Sequence, residues 1–562
     1  MRALSGLLLC ALVVAFAGCG DDDEAAAGGG AAGPGTGGGG TGLGGGGGTG
    51  VGGSGGVGGA AAVFAVPDVD DDDADGQIDW EGAPAPADNE LAPLTLPADF
   101  LATVAAGDDV ELSLVGAEGD VTVWLDGDPV LGQTGAATPV TSVVLSGDAA
   151  KGALSLEAGT FRRKSTLHAR HLAGGEPVAT LDVDLWAAPL VLNHHGQAAE
   201  RVWVVESGSN DAMIQLLSDL LGPRLVIVQS SDVWIQDELE WATATAPGHR
   251  LDVAMDSIRD RDLDAYVKGL KAPDIQPITW GVDGTAKTED KFGNLETTPP
   301  LTVGATSYPF GRIYYGDKGE AGPNAIIKAF LDDQRLQAPI QVDTSWLCVG
   351  HVDEFMAFVA DSAAPKGFRL FYADVDAGYA LLDGLPAGAS IPRYSSAHGY
   401  AAVGDIVADD VLRALNTDIQ ADYLDPILAD LEAKLGLDEG DVVRVPALFE
   451  RIPNCAYSSA FMEVAALIPA LVNFTVVNVD GQAPHLVVPD PFLRSNGAAQ
   501  AVDPVIQAFT AQAPASYALD FVDDWYTYHV SMGEVHCGTN VQRTPTPDWW
   551  TQGLPLLAGG TP

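Results

Sequence analysis

The sequence has few basic residues for its size. It contains 28 Lys and Arg against 77 Asp and Glu, which gives a formal net charge of −49. A chain with so few cations would be repelled by a phosphate backbone, so this composition argues against nucleic acid as a partner. The negative charge is compatible with cationic substrates and bound divalent cations, and equally with a role in solubility alone.

Cysteine is also scarce. Two of the five cysteines, Cys10 and Cys19, lie near the N-terminus, and the other three are Cys348, Cys455 and Cys537. These three are far apart and show no paired spacing, so we expect neither a disulfide framework nor a cysteine-based metal site. A lone cysteine in a chain with histidines and carboxylates favours covalent catalysis instead.

Apolar runs long enough to span a bilayer are lacking as well. The run at residues 7–16 is short, follows Arg2 and precedes Phe16-Ala17-Gly18-Cys19, which is similar to a bacterial lipobox. Residues 1–19 are therefore predicted to be an export signal, with Cys19 lipidated; an ordinary secretory signal is the alternative. A lipid would anchor the protein to a membrane without spanning it. We therefore expect the protein to be lipid-anchored in the bacterial cell envelope, at the outer membrane or facing the periplasm, or to be secreted.

A Gly-rich stretch and an acidic stretch follow the signal. Residues 20–62 bury too little to fold and are predicted to be a flexible tether. The next stretch has the spacing that begins a calcium loop, with candidate ligands Asp71, Asp73, Asp75 and Asp79. Gly82 stands where an EF-hand needs a bidentate carboxylate, so the loop is incomplete, and a solvated linker is the alternative.

The rest of the chain changes pattern once. Between residues 90 and 190, short alternating apolar runs such as 110–115 and 121–125 predict an all-β sandwich, which we assign to residues 63–192. After Pro189, strands at 201–205 and 224–228 flank a predicted helix at 211–221, and further helices are predicted at 323–336 and 423–437. Residues 193–562 are therefore predicted to form one α/β domain. No internal repeat is evident.

The segment 236–240, Gln-Asp-Glu-Leu-Glu, concentrates charge in five residues. If it is extended, Gln236, Glu238 and Glu240 share one face and suit a hard cation. Asp237 then points to the opposite face, where it could meet a substrate. Taken alone, the segment is more typical of a charged edge strand.

Two further stretches carry groups suited to catalysis. His351 and Asp353 are predicted to share a strand face beside Gly350, where they could combine proton transfer with cation binding. Cys537 lies between Gly533 and Gly538, which predict an irregular backbone. The alternatives are a solvated or core histidine and an inert buried cysteine.

Taken together, these stretches resemble the protein-arginine deiminases, which are calcium-dependent enzymes that convert peptidyl-arginine to peptidyl-citrulline. The resemblance runs from about residue 180 to residue 550. It is carried by residues 234–240 (WIQDELE), 292–296 (FGNLE), 308–313 (YPFGRI), 349–355 (VGHVDEF), 366–370 (KGFRL), 526–529 (YTYH) and 533–540 (GEVHCGTN). It implies a five-bladed α/β propeller as the catalytic domain, preceded by an immunoglobulin-like sandwich domain, for which this chain has room once.

The resemblance also implies roles for individual residues. Cys537 matches the nucleophile that forms a covalent thiouronium, and His351 matches the general acid and base. Asp237 and Asp353 match the carboxylates that clamp the guanidinium, and Trp234 matches an aromatic wall of the pocket. Arginine-containing proteins or peptides are the implied substrates. The alternatives are a deiminase or amidinotransferase for free arginine or agmatine, and a non-catalytic calcium-binding surface protein.

Substrate-backbone and calcium contacts are implied in the same way. Arg259 and Arg261 match residues that contact the substrate backbone. One implied calcium site comprises Gln236, Glu240, Phe292, Leu295 and Glu296, with Phe292 and Leu295 acting through their carbonyls. A second comprises Glu238, Asp256, Ser257 and Asp260. Ser531 departs from the family pattern, in which an arginine holds the peptide, and this puts peptide preference in doubt.

Overall fold

The computed structural model describes residues 62–71, 78–81, 91–319, 322–455 and 462–557. The predicted signal with Cys19, residues 20–61 of the predicted tether, and Asp73 and Asp75 of the acidic stretch lie outside these ranges. Within the described ranges, no helix is both long enough and apolar enough to cross a membrane.

The first part of the described chain is built from β-strands and one short helix, α1 (Ala98–Thr103). Its strands are β1 (Val63–Ala65), β2 (Ala92–Leu94), β3 (Asp109–Gly116), β4 (Val121–Leu125), β5 (Asp128–Gly132), β6 (Ser142–Ser146), β7 (Leu154–Ala158), β8 (Arg163–Ala173) and β9 (Glu176–Ala187). They form two sheets, one in the order β1-β9-β8-β3-β6 and one in the order β2-β7-β4-β5.

These two sheets share one hydrophobic core. The alternate residues Val110, Leu112 and Leu114 of β3 are buried. They belong to the same apolar cluster as Val123 of β4 and Leu156 of β7, which lie in the other sheet. The alternation in the sequence therefore marks the inward faces of two packed sheets, as the period of a strand requires.

The second part of the described chain mixes strands and helices. Its strands are β10 (Val191–Leu192), β11 (Ala199–Val205), β12 (Leu225–Val228), β13 (Leu239–Ala246), β14 (His249–Asp256), β15 (Ile275–Thr279), β16 (Leu295–Thr297), β17 (Leu301–Val303), β18 (Thr306–Tyr308), β19 (Ile313–Asp317), β20 (Ile340–Asp343), β21 (Met356–Ala360), β22 (Phe368–Asp374), β23 (Val442–Pro446), β24 (Phe449–Arg451), β25 (Val464–Ala466), β26 (Thr475–Val477), β27 (His485–Pro489), β28 (Ala518–Val522) and β29 (Thr539–Arg543). Its helices are α2 (Asp211–Leu221), α3 (Ile235–Glu238), α4 (Asp264–Lys268), α5 (Ala325–Gln334), α6 (Val375–Asp383), α7 (Pro392–Ala397), α8 (Val403–Val407), α9 (Asp410–Ile419), α10 (Asp425–Leu435), α11 (Pro504–Gln512) and α12 (Trp549–Leu557).

The predicted helices are confirmed. The helix expected at 211–221 has those bounds, and the other two are α5 and α10, each shorter by two residues at either end. Asn324 caps α5 by accepting a hydrogen bond from the backbone N–H of Ile326. Gly436 ends α10 in the left-handed conformation, with φ of 64°.

One topology recurs five times in this part of the described chain. In each unit an antiparallel strand pair is extended by a third, parallel strand: β29-β11-β12, β13-β14-β15, β16-β19-β20, β21-β22-β23 and β26-β27-β28. The parallel connections pass through α2, α4, α5, α6 to α10, and α11, because a parallel pair needs a crossover. The connections differ greatly in length, and for this reason the repeat was not visible in the sequence.

Two local predictions were wrong. Residues 235–238 form a helical turn, and only the residues from Leu239 onward are extended, so the supposed alternation across 236–240 does not exist. Val352–Glu354 form a 3₁₀ turn, so His351 and Asp353 do not share a strand face. Both segments are short turns that lead into a strand, and four residues are too few for periodicity to separate a turn from a strand.

The expectation of no disulfide was also wrong. Cys348 and Cys455 are joined, with their Cα atoms 5.9 Å apart. They are separated by 107 residues in the sequence. Such a separation gives no spacing signal, because only the fold brings the two cysteines together. Cys537 is the free cysteine among the described residues.

Candidate active site

Each of the five units has an inner strand, which is the first in its order above: β29, β13, β16, β21 and β26. The segments just before these inner strands converge on one place. Cys537 precedes β29, Asp237 precedes β13, Gly293 precedes β16, Asp353 precedes β21 and Asn473 precedes β26. The backbone N–H of Gln236 donates to the carbonyl of Cys537 at 3.3 Å, and Asn473 Nδ2 donates to the carbonyl of Asp353 at 3.1 Å. Five equivalent positions of the repeated unit therefore supply the candidate site.

The glycines beside Cys537 allow close packing of aromatic rings. A Cβ on Gly533 would lie 2.4 Å from the Trp234 ring, and one on Gly538 would lie 2.2 Å from the Tyr528 ring. Neither glycine has a positive φ. These glycines are therefore not required for an unusual backbone conformation. They are required because two aromatic side chains contact the backbone of the cysteine loop.

The Cys537 sulfur lies in a buried, negatively charged setting. Sγ is 3.4 Å from Asp353 Oδ2 and accepts a hydrogen bond from Asn473 Nδ2 at 3.3 Å. Burial, followed by the carboxylates of Asp353 and Asp237, raises the pKa of this thiol well above its usual value. These surroundings therefore favour the protonated thiol form of Cys537.

His351 lines the same cavity, and its hydrogen bond shows which ring nitrogen carries the proton. Its Nε2 is 2.8 Å from the carbonyl of Thr288, which can only accept, so Nε2 carries a proton. Nδ1 then faces the cavity, 3.7 Å from Asp237 Oδ1. Burial lowers the pKa of His351 to about 4, although Asp353 opposes the shift. His351 is therefore neutral, with a lone pair on Nδ1 directed at the site.

Gly293 brings the three polar catalytic candidates together. A Cβ at this position would lie 2.8 Å from His351 Nδ1, 3.1 Å from Asp353 Oδ2 and 3.4 Å from Asp237 Oδ1. The backbone at Gly293 thus reaches the point where these side chains meet. Asp353 Oδ1 is buried and has no hydrogen-bond partner among the described residues, so it is available to a ligand.

The cavity at this point has cationic as well as acidic walls. Its lining includes Trp234, Asp237, His351 and Cys537, together with Arg261, Lys291, Glu354 and Ser531. Arg261 is exposed, whereas Arg259 is buried, pairs with Asp232 and donates to the carbonyl of Trp234 at 3.2 Å. Of the two predicted backbone-binding arginines, Arg261 is the one that lines the open cavity.

The first predicted cation site is assembled around Gln236. Gln236 Nε2 donates to Glu240 Oε2 at 2.7 Å and to the carbonyl of Phe292 at 3.2 Å. Burial, followed by repulsion from Glu296, raises the pKa of Glu240 to about 8. Glu240 therefore resists ionisation, whereas His536 and His195, acting against burial, lower the pKa of the adjacent Glu296. A hard cation beside these two carboxylates would stabilise the charged form of both. Leu295 is buried at the start of β16, next to Glu296.

The second predicted site lies on the other side of the α3 turn. Glu238, Asp256 and Asp264 have carboxylate oxygens within 4.8 Å of one another. Both Glu238 oxygens and Ser257 Oγ are buried without a hydrogen-bond partner among the described residues. Burial and the charge of Asp256 raise the pKa of Glu238 to about 9. Arg259 Nε lies 3.6 Å from Glu238 Oε2, and the oxygens of this group fit a divalent cation.

The carboxylate group of this second site includes Asp264, which was not predicted, and does not include Asp260, whose role as a ligand stays a prediction. Asp260 is exposed and has a left-handed φ of 47°, and it does not belong to the carboxylate group that the described structure brings together. Asp264, at the start of α4, belongs to it instead. The ammonium of Lys268 is 2.6 Å from Asp264 and 3.8 Å from Asp256, so a side-chain cation already faces the cluster.

Four residues of the site were missed from the sequence: Asn473, Gly293, Lys291 and Asp264. Gly293 lies within the matched stretch 292–296, and its lack of a side chain was the available signal. Asn473 and Asp264 stand in no motif, so only the fold shows their position.

The acidic stretch near the N-terminus is described only at its two ends. The backbone N–H of Asp79 donates to the carbonyl of Asp70 at 2.9 Å, which holds the two ends of the stretch together. Asp71 and Asp79 are described, whereas Asp73 and Asp75 are not. A calcium loop here stays a prediction.

Comparison with known proteins gives matches over the part of the chain that carries this site. The sequence model of a family described as protein-arginine deiminase (PAD) matches residues 177–551. Protein-arginine deiminase type-4 of Rattus norvegicus is 32% identical over 390 residues, which cover 65% of this chain and 55% of that protein. Type-1 of Homo sapiens is 32% identical over 392 residues, covering 65% and 56%. Type-3 of Homo sapiens is 30% identical over 404 residues, covering 66% and 57%.

The chain spans about half the length of these curated relatives. The family match covers more than half of this chain, from β9 through the strands that carry the candidate site and into α12. The resemblance inferred from separate motifs is thereby confirmed, and the chain belongs to the protein-arginine deiminase family.

Proposed function

We propose that this protein is a calcium-dependent protein-arginine deiminase. It would hydrolyse peptidyl-arginine to peptidyl-citrulline and ammonia through a covalent cysteine thiouronium. The observation that carries the proposal is the single cavity that brings Cys537, His351, Asp237 and Trp234 together. A nucleophile, a proton carrier, a carboxylate and an aromatic wall are the groups that a guanidinium substrate needs.

The guanidinium is bound by charge and shape. It is planar and cationic, so it pairs with carboxylates through parallel hydrogen bonds. Asp237 lines the cavity. Asp353 does not line it but contacts Cys537 Sγ, and its Oδ1 has no hydrogen-bond partner among the described residues. Asp353 also touches the sulfur through Oδ2 at 3.4 Å, so a guanidinium held by Asp353 has its central carbon close to Sγ. Binding and alignment for attack are therefore one event.

Substrate binding activates the cysteine. The two carboxylates that raise the pKa of the thiol would be neutralised by the guanidinium, and the positive charge beside Sγ favours the thiolate. The thiol proton then passes to the free Nδ1 of His351. The thiolate attacks the guanidinium carbon, and the His351 imidazolium protonates the departing nitrogen, which leaves as ammonia. His351 next takes a proton from water, whose oxygen attacks the thiouronium carbon and releases Cys537.

The residues proposed to bind calcium lie in the segments that form the catalytic cavity. Gln236, Glu240, Glu296 and the carbonyls of Phe292 and Leu295 would hold one ion, and Glu238, Asp256, Ser257 and Asp264 another. When bound, calcium supplies charge that lets these crowded carboxylates ionise together. Gln236 and Glu238 flank Asp237, and Phe292 is adjacent to Gly293. Ordering these ligands therefore orders the segments that line the catalytic cavity.

We also propose a specific fold for each of the two parts of the described chain. The five repeated strand units support a five-bladed α/β propeller for residues 193–562. The two packed sheets before them support an immunoglobulin-like sandwich for residues 63–192. The site would then lie where the five inner strands of the propeller begin.

We also propose a lipid-anchored location in a bacterial cell envelope. The support is the lipobox-like sequence ending at Cys19 and the Gly-rich tether that follows it. The Cys348–Cys455 disulfide supports an oxidising compartment, in which such bonds form and persist. Cys19→Ala should release the protein into the soluble fraction, and a variant that remains on the membrane would contradict the anchor.

The activity is tested by citrulline formation. The full chain is incubated with a blocked arginine peptide, with free arginine and with agmatine, each with calcium and with a chelator. We expect turnover of the peptide in calcium and none with Cys537→Ser. Preference for a free guanidine would favour the alternative that Ser531 raises, and no turnover of any substrate would favour a non-catalytic surface protein.

A further inference from the structure

A buried carboxylate next to the catalytic cysteine lies between two imidazoles. Glu296 Oε2 is 3.3 Å from His195 Nε2, and Glu296 Oε1 is 3.4 Å from His536 Nε2. One ligand atom from each of the three residues lies within 4.8 Å of the other two. Their side chains are 8 to 11% exposed. Three potential metal ligands thus meet in a site that is almost closed to water.

The three residues come from distant parts of the sequence. His195 lies between β10 and β11, Glu296 in β16, and His536 next to Cys537. Glu296 Oε1 is buried and has no hydrogen-bond partner among the described residues. Oε1 faces His536 Nε2 and Oε2 faces His195 Nε2, so one buried carboxylate and two imidazole nitrogens face one another in a small volume.

The second nitrogen of His536 is already held. His536 Nδ1 is 3.0 Å from Asp353 Oδ2, which can accept its proton. A carboxylate behind a metal-binding imidazole fixes the orientation of the ring. Asp353 therefore orients His536 Nε2 toward Glu296.

We propose that His195, Glu296 and His536 form a site for a borderline divalent metal such as Zn²⁺. Two imidazole nitrogens and one carboxylate oxygen, with a fourth position open, are a typical zinc donor set. Calcium prefers oxygen ligands, so the two histidines distinguish this site from the calcium ligands that the resemblance implies. Glu296 belongs to both sets, so the two metals exclude each other.

The site also has a consequence for the cysteine. A metal on His536 Nε2 draws charge from the ring that contacts Asp353, and Asp353 contacts Cys537 Sγ. Occupancy by zinc in place of calcium would therefore lower turnover; this consequence, unlike the binding itself, rests on the proposed function.

Binding is tested without activity, with Co²⁺ as a spectroscopic probe. The full chain is stripped of metal and titrated with Co²⁺, and Zn²⁺ is then used to displace it. We expect one equivalent with the visible bands of a four-coordinate nitrogen and oxygen site and no thiolate charge-transfer band. Cys537→Ser should leave the spectrum unchanged, and added calcium should compete.

Matched variants locate the site. His195→Ala and the larger His195→Gln should weaken binding by at least about tenfold. His194→Ala is the control, since His194 is also largely buried and lies next to His195 but does not belong to the cluster. Equal losses in the His194 and His195 variants, a spectrum that depends on Cys537, or no stoichiometric binding would each overturn the proposal.

Discussion

The ammonium of Lys291 lies 3.5 Å from Asp237 Oδ2, against the carboxylate proposed to bind the substrate guanidinium. A side chain of the protein therefore lies where the proposed guanidinium would bind. An arginine substrate must displace this contact or share the carboxylate with it. Lys291 is also adjacent in the sequence to Phe292, a proposed calcium ligand.

Replacement of Lys291 should make substrate binding easier. An ion pair of this kind contributes about 1 kcal/mol, so Lys291→Met should lower KM for an arginine peptide roughly fivefold and leave kcat nearly unchanged. Lys287→Met, in the same loop but with an exposed side chain, is the control. A rise in KM would mean that Lys291 serves instead to keep Asp237 ionised.

Gly293→Ala should block the chemistry while the fold is kept. The added methyl would lie 2.8 Å from His351 Nδ1 and 3.1 Å from Asp353 Oδ2, so these side chains must move apart. A displacement of this size should lower kcat/KM by at least about a hundredfold. Gly388→Ala is the control, because a Cβ there meets no atom within 4 Å. Unchanged turnover of the Gly293 variant would remove this position from the site.

Much of the architecture could be predicted from the sequence, for identifiable reasons. Helix α2 was predicted to the residue because Met213, Leu217 and Leu221 recur on one face and are buried. The strands of the first part were visible because each has a core face and an outer face. By contrast, the turn at Ile235–Glu238 spans four residues, and only the resemblance assigned Gln236 and Glu238 to different sites.

What the sequence could not supply depends on long-range contacts. Asn473 lies in a mainly apolar run, and nothing local shows that it reaches Cys537, 64 residues further along. The pairing of Cys348 with Cys455 has the same origin. Roles that recur within a family can be carried over by motif, whereas positions such as Asp264 or His195, which stand in no motif, require the fold.

The pH dependence of stability should report the buried carboxyl of Glu354. Burial raises its pKa to about 8, although hydrogen bonds from the backbone of His351 and Gly350 oppose the shift. Between its ordinary value of 4.5 and about 8, the folded state holds a proton that the unfolded state releases. Glu354 should therefore contribute a fall in stability as pH rises through this window, of at most about 1.4 kcal/mol per pH unit.

Glu354→Gln should flatten that slope, because the amide keeps an acceptor for the two backbone N–H groups and does not titrate. Unfolding free energies are measured by denaturant titration at pH 5 to 8 in calcium-free buffer. Glu176→Gln, at an exposed position, should leave the slope as it is. Equal slopes for wild type and Glu354→Gln would contradict the assignment.

Loss of the disulfide should destabilise the fold. The bond closes a loop of about 107 residues, and the double variant Cys348→Ser, Cys455→Ser should lose about 2 to 5 kcal/mol of unfolding free energy. Denaturant titration of the oxidised protein, the reduced protein and the double variant measures it. Cys537→Ser forms no such link and serves as the control. A double variant as stable as the oxidised protein would show that the bond contributes nothing.

Asn473 should set the reactivity of the cysteine. Its Nδ2 donates to Cys537 Sγ at 3.3 Å, and its Oδ1 accepts from the backbone N–H of His536 at 2.9 Å. Asn473→Asp keeps the shape and the acceptor but replaces the donor with a negative charge, which raises the pKa of the thiol. We expect kcat to fall about a hundredfold, and alkylation of Cys537 by iodoacetamide to require higher pH than in wild type. Asn473→Ala, which removes the donor without adding charge, should give a smaller shift of the alkylation profile. If the two variants show the wild-type alkylation profile, Asn473 holds the backbone of the loop and does not act on the sulfur.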